Sequence, residues 1–376
     1  MKTRISDLTI EQFRSLRELG LERLGRVNLI TGRNNTGKSS VLEALRILVS
    51  DASPAVLASI LQYREEDVDE GEEGARAVET GGASQLVSLF TGFPQLFGTH
   101  KPILIAANGG ERPVRLTIAL GWLSEERDEE GIRKWVLNRE QLLPEEEMTP
   151  GLVVESGGAR RLLPLAYFRR FSPSGRFLRT QLLSEETHVP CVFVSPYGGE
   201  GTASLGPLWD KIALTDRERD VVEALRIVAP EVERVSMVGG EAPRRARRAI
   251  VRATSFPRPV PLRSFGDGLN RLFGIVLSLV NAKNGLLLID EFENGMHHTI
   301  QLDVWRAIFR LSRDLNVQVF ATSHSWDAVE AFQKAAAEDP SEGLLIRLSR
   351  KGEAVIPTLF RDQELAVAAR EHIEVR

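Results

Sequence analysis

Apolar positions along this chain fall into short alternating runs, helical stripes and a few unbroken apolar stretches. Ile5, Leu8 and Ile10 mark a first strand, and Val27, Leu29 and Ile30 mark another that runs into Thr31-Gly32. Val41, Leu42, Leu45, Leu48 and Val49 then recur at helical spacing and predict an amphipathic helix. Between about 100 and 200 the pattern is strand-rich, with Ile103–Ile105, Val114–Ile118 and Val192–Val194, and charged turns such as Glu125–Glu130 between runs. A helix is predicted over Asp216–Val228. From Leu269 onward helix and strand alternate. Leu269, Leu272, Phe273, Val276, Leu277 and Val280 make a helical stripe, and Leu286–Ile289 an unbroken apolar strand. Val304, Trp305, Ile308 and Phe309 make a second stripe, and Val317–Ala321 a strand that stops at Thr322-Ser323-His324. Such alternation predicts a parallel sheet covered by helices on both faces, an α/β fold.

Composition narrows the class. With 42% hydrophobic and 27% charged residues the chain has the content of an ordinary globular protein, and 376 residues can bury a large core. A net charge of -4 argues against a surface devoted to nucleic acid, although local basic patches remain open. The single cysteine, Cys191, permits no internal disulfide and suits a reducing compartment. The sequence lacks a signal peptide and any run of about 18 apolar residues, so a cytoplasmic protein without a membrane segment is expected. From Glu65 to Glu73 seven of nine residues are acidic, a composition that reads as a solvated segment.

Three stretches carry candidate chemistry. Gly32-Arg33-Asn34-Asn35-Thr36-Gly37-Lys38-Ser39 matches G-x-x-x-x-G-K-[ST], between an apolar strand and an amphipathic helix. In that setting glycines let the backbone curl around phosphate, and the helix N-terminus adds partial positive charge. Gly32, Asn34, Asn35, Thr36, Gly37, Lys38, Ser39 and Ser40 are therefore candidates to hold ATP, with the Ser39 hydroxyl on Mg²⁺. Leu286–Ile289 followed by Asp290-Glu291 has the form of a Walker B strand. Asp290 would hold the Mg²⁺ and Glu291 would polarise an attacking water.

Ser264-Phe265-Gly266-Asp267-Gly268, ahead of the Walker B strand, looks like an ABC signature, and His324 after the next strand looks like a switch histidine. The order and spacing of these motifs resemble the ATP-binding heads of SMC proteins, RecF and the OLD-family nucleases, with the nearest likeness to stand-alone ATPases of the anti-phage defence type. Phe13-Arg14-Ser15-Leu16 before the P-loop strand fits that likeness. Phe265 stands where glycine is usual in the signature, and Phe292 where proline usually follows Asp-Glu. The resemblance implies a two-lobed ABC-type ATPase head with a P-loop core, an antiparallel β lobe and a helical segment. It also implies a homodimer or higher homo-oligomer in which Ser264, Gly266 and Gly268 face the partner's nucleotide. The expected organisation is one head over 1–376: N-terminal strands and P-loop over 1–60, a middle extension of the first lobe over 61–254, and the signature, Walker B and switch-histidine lobe over 255–376.

Plainer readings stand beside several of these. Ser264 could be a helix N-cap. His324 could be a core hydrogen-bonding histidine, and His297 and His298 surface residues rather than metal ligands. Gln62 and Gln95 are weak candidates to watch the Mg²⁺. The arginine and aromatic mixture over 160–179, and the arginines at 244, 245, 247, 248 and 252, could contact nucleic acid or simply line an edge-strand pair. Only 52 residues follow His324, too few for a TOPRIM nuclease domain, so a nuclease effector is expected to be a separate TOPRIM-like polypeptide. A regulator holding ATP as a structural ligand and a DNA-repair ATPase are the alternatives.

Overall fold

Unbroken apolar strands need cover on both faces, and the central sheet supplies it. The computed structural model describes residues 5–64, 86–94, 100–110, 113–127, 133–138, 148–169, 189–196, 201–239, 247–338, 342–361 and 364. Its core sheet runs in the order β16 (Ala354–Phe360), β15 (Gly343–Lys351), β3 (Val27–Gly32), β14 (Gln318–Thr322), β13 (Leu286–Ile289), β9 (Cys191–Val194). Neighbours are parallel throughout except β16, which closes one edge antiparallel to β15. Period-two alternation divides each strand between two cores. Leu287, Ile289, Val319 and Ala321 face one, and Leu286, Leu288 and Phe320 face the other.

The first core contains α1 (Lys38–Val49), α2 (Pro54–Tyr63) and the inner face of a seven-stranded antiparallel sheet. That sheet is built from β1 (Asp7–Phe13), β2 (Leu16–Leu21), β4 (Ile103–Asn108), β5 (Val114–Arg127), β7 (Thr149–Ser156) and β8 (Ala159–Pro164), with β6 (Arg133–Asn138) paired to β5. The short α3 (Leu165–Arg169) follows β8. The second core is formed by α4 (Gly201–Asp210), α5 (Arg217–Val228), α6 (Asp267–Asn281), α7 (His298–Asp314) and α8 (Trp326–Glu338). A small sheet of β10 (Val232–Val238), β11 (Arg248–Ala253) and β12 (Val260–Pro261) packs with them. The fold is thus a mixed α/β head with one antiparallel lobe and one helical lobe around a P-loop core.

The middle of the chain is shared between the lobes. Strands β4 to β8 extend the antiparallel sheet, whereas β9 enters the core sheet and residues 201–253 pack on the helical side. Two basic stretches can be followed in part. Arg160 pairs with Glu155 at 2.6 Å and Arg161 with Asp51 at 2.8 Å on the edge strand β8, while Phe168 in the following helix is buried. Arg247 pairs with Asp210 at 2.6 Å and Arg252 with Glu233 at 3.2 Å. The acidic run, Gln95, Arg170, Arg176, Arg179, Arg244 and Arg245 lie outside the described residues.

Candidate functional site

Parallel strands of one sheet end on the same side, so the C-terminal ends of β3, β13 and β14 come together. β3 delivers the loop 32–37, which curls through left-handed backbone at Gly32 (φ 144°), Asn35 (φ 62°) and Gly37 (φ 89°). A Cβ at Gly37 would lie 2.6 Å from Leu16 Cδ2, because the turn Phe13–Leu16 between β1 and β2 presses on the loop. That turn is anchored from α1: the buried Glu43 carboxylate lies 2.6 Å from Arg14 Nε and 2.8 Å from Arg64 Nε. The N-terminal motif is thereby braced against the loop.

Gly37 caps α1, whose first turn holds no acidic side chain, so the positive end of the helix dipole opens into the loop. Lys38 Nζ folds back to donate to the carbonyls of Gly32 at 2.6 Å and Arg33 at 3.1 Å. Burial pulls the Lys38 ammonium below its ordinary pKa, against the opposing pull of Asp290, Glu293 and Glu291. Thr36 Oγ1 is tied to the Arg33 carbonyl at 2.8 Å, Ser40 is buried under the loop, and Arg33, Asn34 and Asn35 are exposed along its rim.

At the end of β13 the buried Asp290 accepts from Ser39 Oγ at 3.1 Å and from Thr322 Oγ1 at 2.5 Å. Glu291 has left-handed backbone (φ 47°), a conformation that costs a non-glycine residue about 1–3 kcal/mol unless neighbours enforce it. Here its N–H donates to Thr322 Oγ1 at 2.9 Å and its carboxylate accepts from Asn294 Nδ2 at 2.5 Å. Phe292, in the usual proline position, is fully buried and stacks on Trp305 with ring centroids 4.0 Å apart, pinning the turn to α7. At the end of β14, His324 is half-exposed, and its Nδ1 lies 3.0 Å from Glu293 Oε1, which also accepts from the backbone N–H groups of His324 and Ser325. Glu293 Oε2 is buried with no hydrogen-bond partner among the described residues.

The signature stretch adopts a form that neither reading of Ser264 anticipates in detail. Leu262–Phe265 is a 3₁₀ turn, and the cap of α6 is Gly266 (φ 99°), not Ser264, with no side-chain cap bond. Ser264, Gly266 and Asp267 are exposed, and Phe265 is edge-on to Phe256 with centroids 5.4 Å apart. A cleft of about 460 Å³ lies beside this turn, lined by Gly266, Gly268, Gly295 and His297 among others. His297 caps α7 and His298 lies against it, with no metal-holding cluster among the described residues. Gln62 is exposed on α2 and lines a cavity shared with Arg271, Cys191 and Phe193.

The residues present fit a nucleotide with a divalent cation. The curl of left-handed positions ahead of an acid-free helix start is a phosphate cradle. A serine hydroxyl 3.1 Å from a buried carboxylate offers the hard oxygen donors that Mg²⁺ takes. Two families match. "AAA ATPase domain" covers residues 1–81, and "AAA domain, putative AbiEii toxin, Type IV TA system" covers residues 224–329. Across 95% of the chain the fold is similar to a solved SMC head bound to the C-winged helix domain of ScpA, with a TM-score of 0.52, 10% identity and 97% of that chain covered. The uncharacterized protein MJECL11 of Methanocaldococcus jannaschii is 35% identical over 95 residues, which make up 25% of this chain and 82% of MJECL11.

The chain belongs to one family with MJECL11, carries two stretches that match AAA-type ATPase domain models, and has the fold of an SMC head. An ATP/GTP phosphatase of Helicobacter pylori is 32% identical over 111 residues, 28% of this chain and 30% of that protein's length. For a P-loop ATPase of this type, four residues not picked out from sequence stand at the site: Thr322, Glu293, Asn294 and Arg271. Thr322, Asn294 and Arg271 bond Asp290 or Glu291, and Glu293 holds His324, through partners 3 to 32 positions away. Thr322, Glu293 and Asn294 carry one sequence signal, their place next to two recognisable strand ends, whereas Arg271 sits inside a helical stripe.

Proposed function

We propose that this ATPase binds ATP·Mg²⁺ in the Gly32–Ser39 loop, hydrolyses it slowly, and so switches between open and closed dimers that control a separate nucleic-acid effector. The observation that carries this reading is the juxtaposition of Ser39 and Asp290 at 3.1 Å, with the carboxylate of Glu291 next in the chain. Gly32, Asn34, Asn35, Thr36, Gly37, Lys38 and Ser40 would hold the phosphates, and Ser39 with Asp290 the cation. Bound Mg²⁺ supplies charge neutralisation at the phosphates. Glu291 would orient and deprotonate water, and His324, oriented through Nδ1 by Glu293, would contact the transferring phosphate. Ser264 and Gly266 are exposed and Gly268 is partly so, as a surface must be if a second copy is to close over it.

For the effector we favour a separately encoded TOPRIM-like nuclease of a bacterial defence system. The AbiEii toxin and Type IV TA wording of the matched family supports the defence setting. The SMC head of similar fold that is bound to a ScpA domain gives a precedent for a partner protein. No helix among the described residues is long and apolar enough to cross a membrane. Incubating the chain with DNA and RNA, with Mg²⁺ or Mn²⁺ and with or without ATP, tests the two-component arrangement. We expect no cleavage by the chain alone and cleavage once the product of a neighbouring gene is added. Cleavage that survives purification and disappears when one of the chain's own carboxylates is replaced would overturn it.

A further inference from the structure

Arg271 is a buried cation whose hydrogen bonds among the described residues all go to backbone carbonyls and none to a carboxylate. It sits in the second turn of α6, and only 5% of it is exposed. Its Nη1 donates to the Ser195 carbonyl at 2.8 Å, and its Nη2 to the carbonyls of Asp290 at 3.2 Å and Glu291 at 3.4 Å. Ser195 follows β9, and Asp290 follows β13. One guanidinium therefore gathers carbonyls from the ends of two neighbouring strands, among them the two that flank the Glu291 Cα. Burial lowers its pKa to about 10, which leaves it charged at neutral pH, and its Nε finds no hydrogen-bond partner among the described residues. A buried cation kept with a donor unsatisfied costs more than an apolar side chain of similar size.

The left-handed backbone of Glu291 is held at three points. Thr322 takes its amide, Asn294 its carboxylate and Arg271 its carbonyl. Thr322 belongs to the core sheet and Asn294 to the same turn as Glu291. Arg271 alone comes from the helix that opens at the signature turn. Arg271 stands three residues beyond Gly268 on one continuous helix, roughly 4.5 Å of rise, so a shift of the turn carries the guanidinium with it.

We infer that Arg271 is a positioning residue that transmits the state of the Ser264–Gly268 turn to the backbone of Glu291. The inference rests on the ATPase reading above for the role of Glu291, but not for the tether itself. The guanidinium reaches the Ser195 carbonyl from one nitrogen and the Asp290 and Glu291 carbonyls from another, in a rigid fork that a single flexible ammonium does not reproduce, so Arg271→Lys keeps charge and loosens the tether. Three readouts separate the possibilities: affinity for a fluorescent ATP analogue, steady-state ATP turnover, and hydrogen exchange of the 286–296 and 32–45 segments. In Arg271→Lys we expect analogue affinity within about threefold of wild type and turnover reduced at least about tenfold. Exchange should rise over 286–296 and stay unchanged over 32–45. Arg271→Gln, checked by thermal melting, should show the same split more strongly. Unchanged turnover in a folded Arg271→Lys protein overturns the inference, and so does a parallel loss of affinity, turnover and melting temperature, which marks a purely architectural role. If Glu291→Gln leaves wild-type turnover untouched, the ATPase reading fails instead. The exchange data still decide the tether, and retained protection at 286–296 in Arg271→Lys sinks it.

Discussion

Replacing Thr322 by valine removes one hydroxyl and almost no volume, yet it strips two contacts from the site. Thr322 is fully buried, donates to Asp290 Oδ1 at 2.5 Å and accepts from the Glu291 N–H at 2.9 Å. A hydrogen bond to a charged partner contributes about 1.5–3 kcal/mol, and a buried N–H left unmet costs about 1–3 kcal/mol. The added methyl group recovers about 0.8 kcal/mol. Because neighbouring losses are not additive, a net destabilisation of about 3 kcal/mol is the expectation for Thr322→Val. At the low end of ~2–4 °C per kcal/mol, suited to a chain this long, the melting temperature falls by about 6 °C. The same change frees the Glu291 amide from its left-handed pose, so turnover falls while the loop 32–39 still binds nucleotide. Differential scanning calorimetry with and without ATP·Mg²⁺, beside a phosphate-release assay, measures both effects. A Thr322→Val protein that melts within 1 °C of wild type (roughly 0.5 kcal/mol) and turns over normally would refute the reasoning.

Gly37→Ala forces a Cβ to within 2.6 Å of Leu16 Cδ2 at φ 89°, so ATP affinity should fall at least about tenfold, with partial recovery on adding Leu16→Ala; fluorescence titration of the two variants checks this. The lowered pKa of Lys38 predicts two opposed pH trends. Because the unfolded chain holds that proton more tightly, the nucleotide-free fold gains stability as pH rises through the lowered value. Nucleotide affinity falls over the same range, since phosphate needs the ammonium, and Lys38→Ala should flatten both slopes in urea melts and binding titrations. Burial pushes the Cys191 thiol up to about 12, so native protein should alkylate far more slowly than denatured protein at pH 8, as mass spectrometry would show.

Most of the frame and part of the site could be read from residues alone, and the divide has a physical basis. The loop 32–39 and the strand 286–290 are local: glycine spacing, an unbroken apolar run and the acid at its end are written in consecutive residues. The alternating helices and strands after Leu269 were equally legible, since α6 and α7 each carry one apolar face. The meander was harder. β5 runs for 14 residues with its inward alternation interrupted at Gly121-Trp122, and β10 to β12 alternate weakly beside the arginines. Nor does Cys191–Val194 reveal that its partner is β13, 95 residues on (286 minus 191). Thr322 and Arg271 were invisible as site residues because what they hold is backbone or a carboxylate brought near only by sheet order. Phe292, which looks like a departure from the usual proline, becomes intelligible only once Trp305 is beneath it.

The central claim is that the carboxylate of Glu291 drives ATP hydrolysis at a site assembled from the ends of β3, β13 and β14. ATP turnover by Glu291→Gln, measured with nucleotide affinity and light scattering on the same sample, tests it most directly. The account predicts affinity within about threefold of wild type, turnover reduced at least about 100-fold, and a larger ATP-dependent dimer fraction than with ADP. Wild-type turnover in a Glu291→Gln protein that binds ATP normally would contradict it.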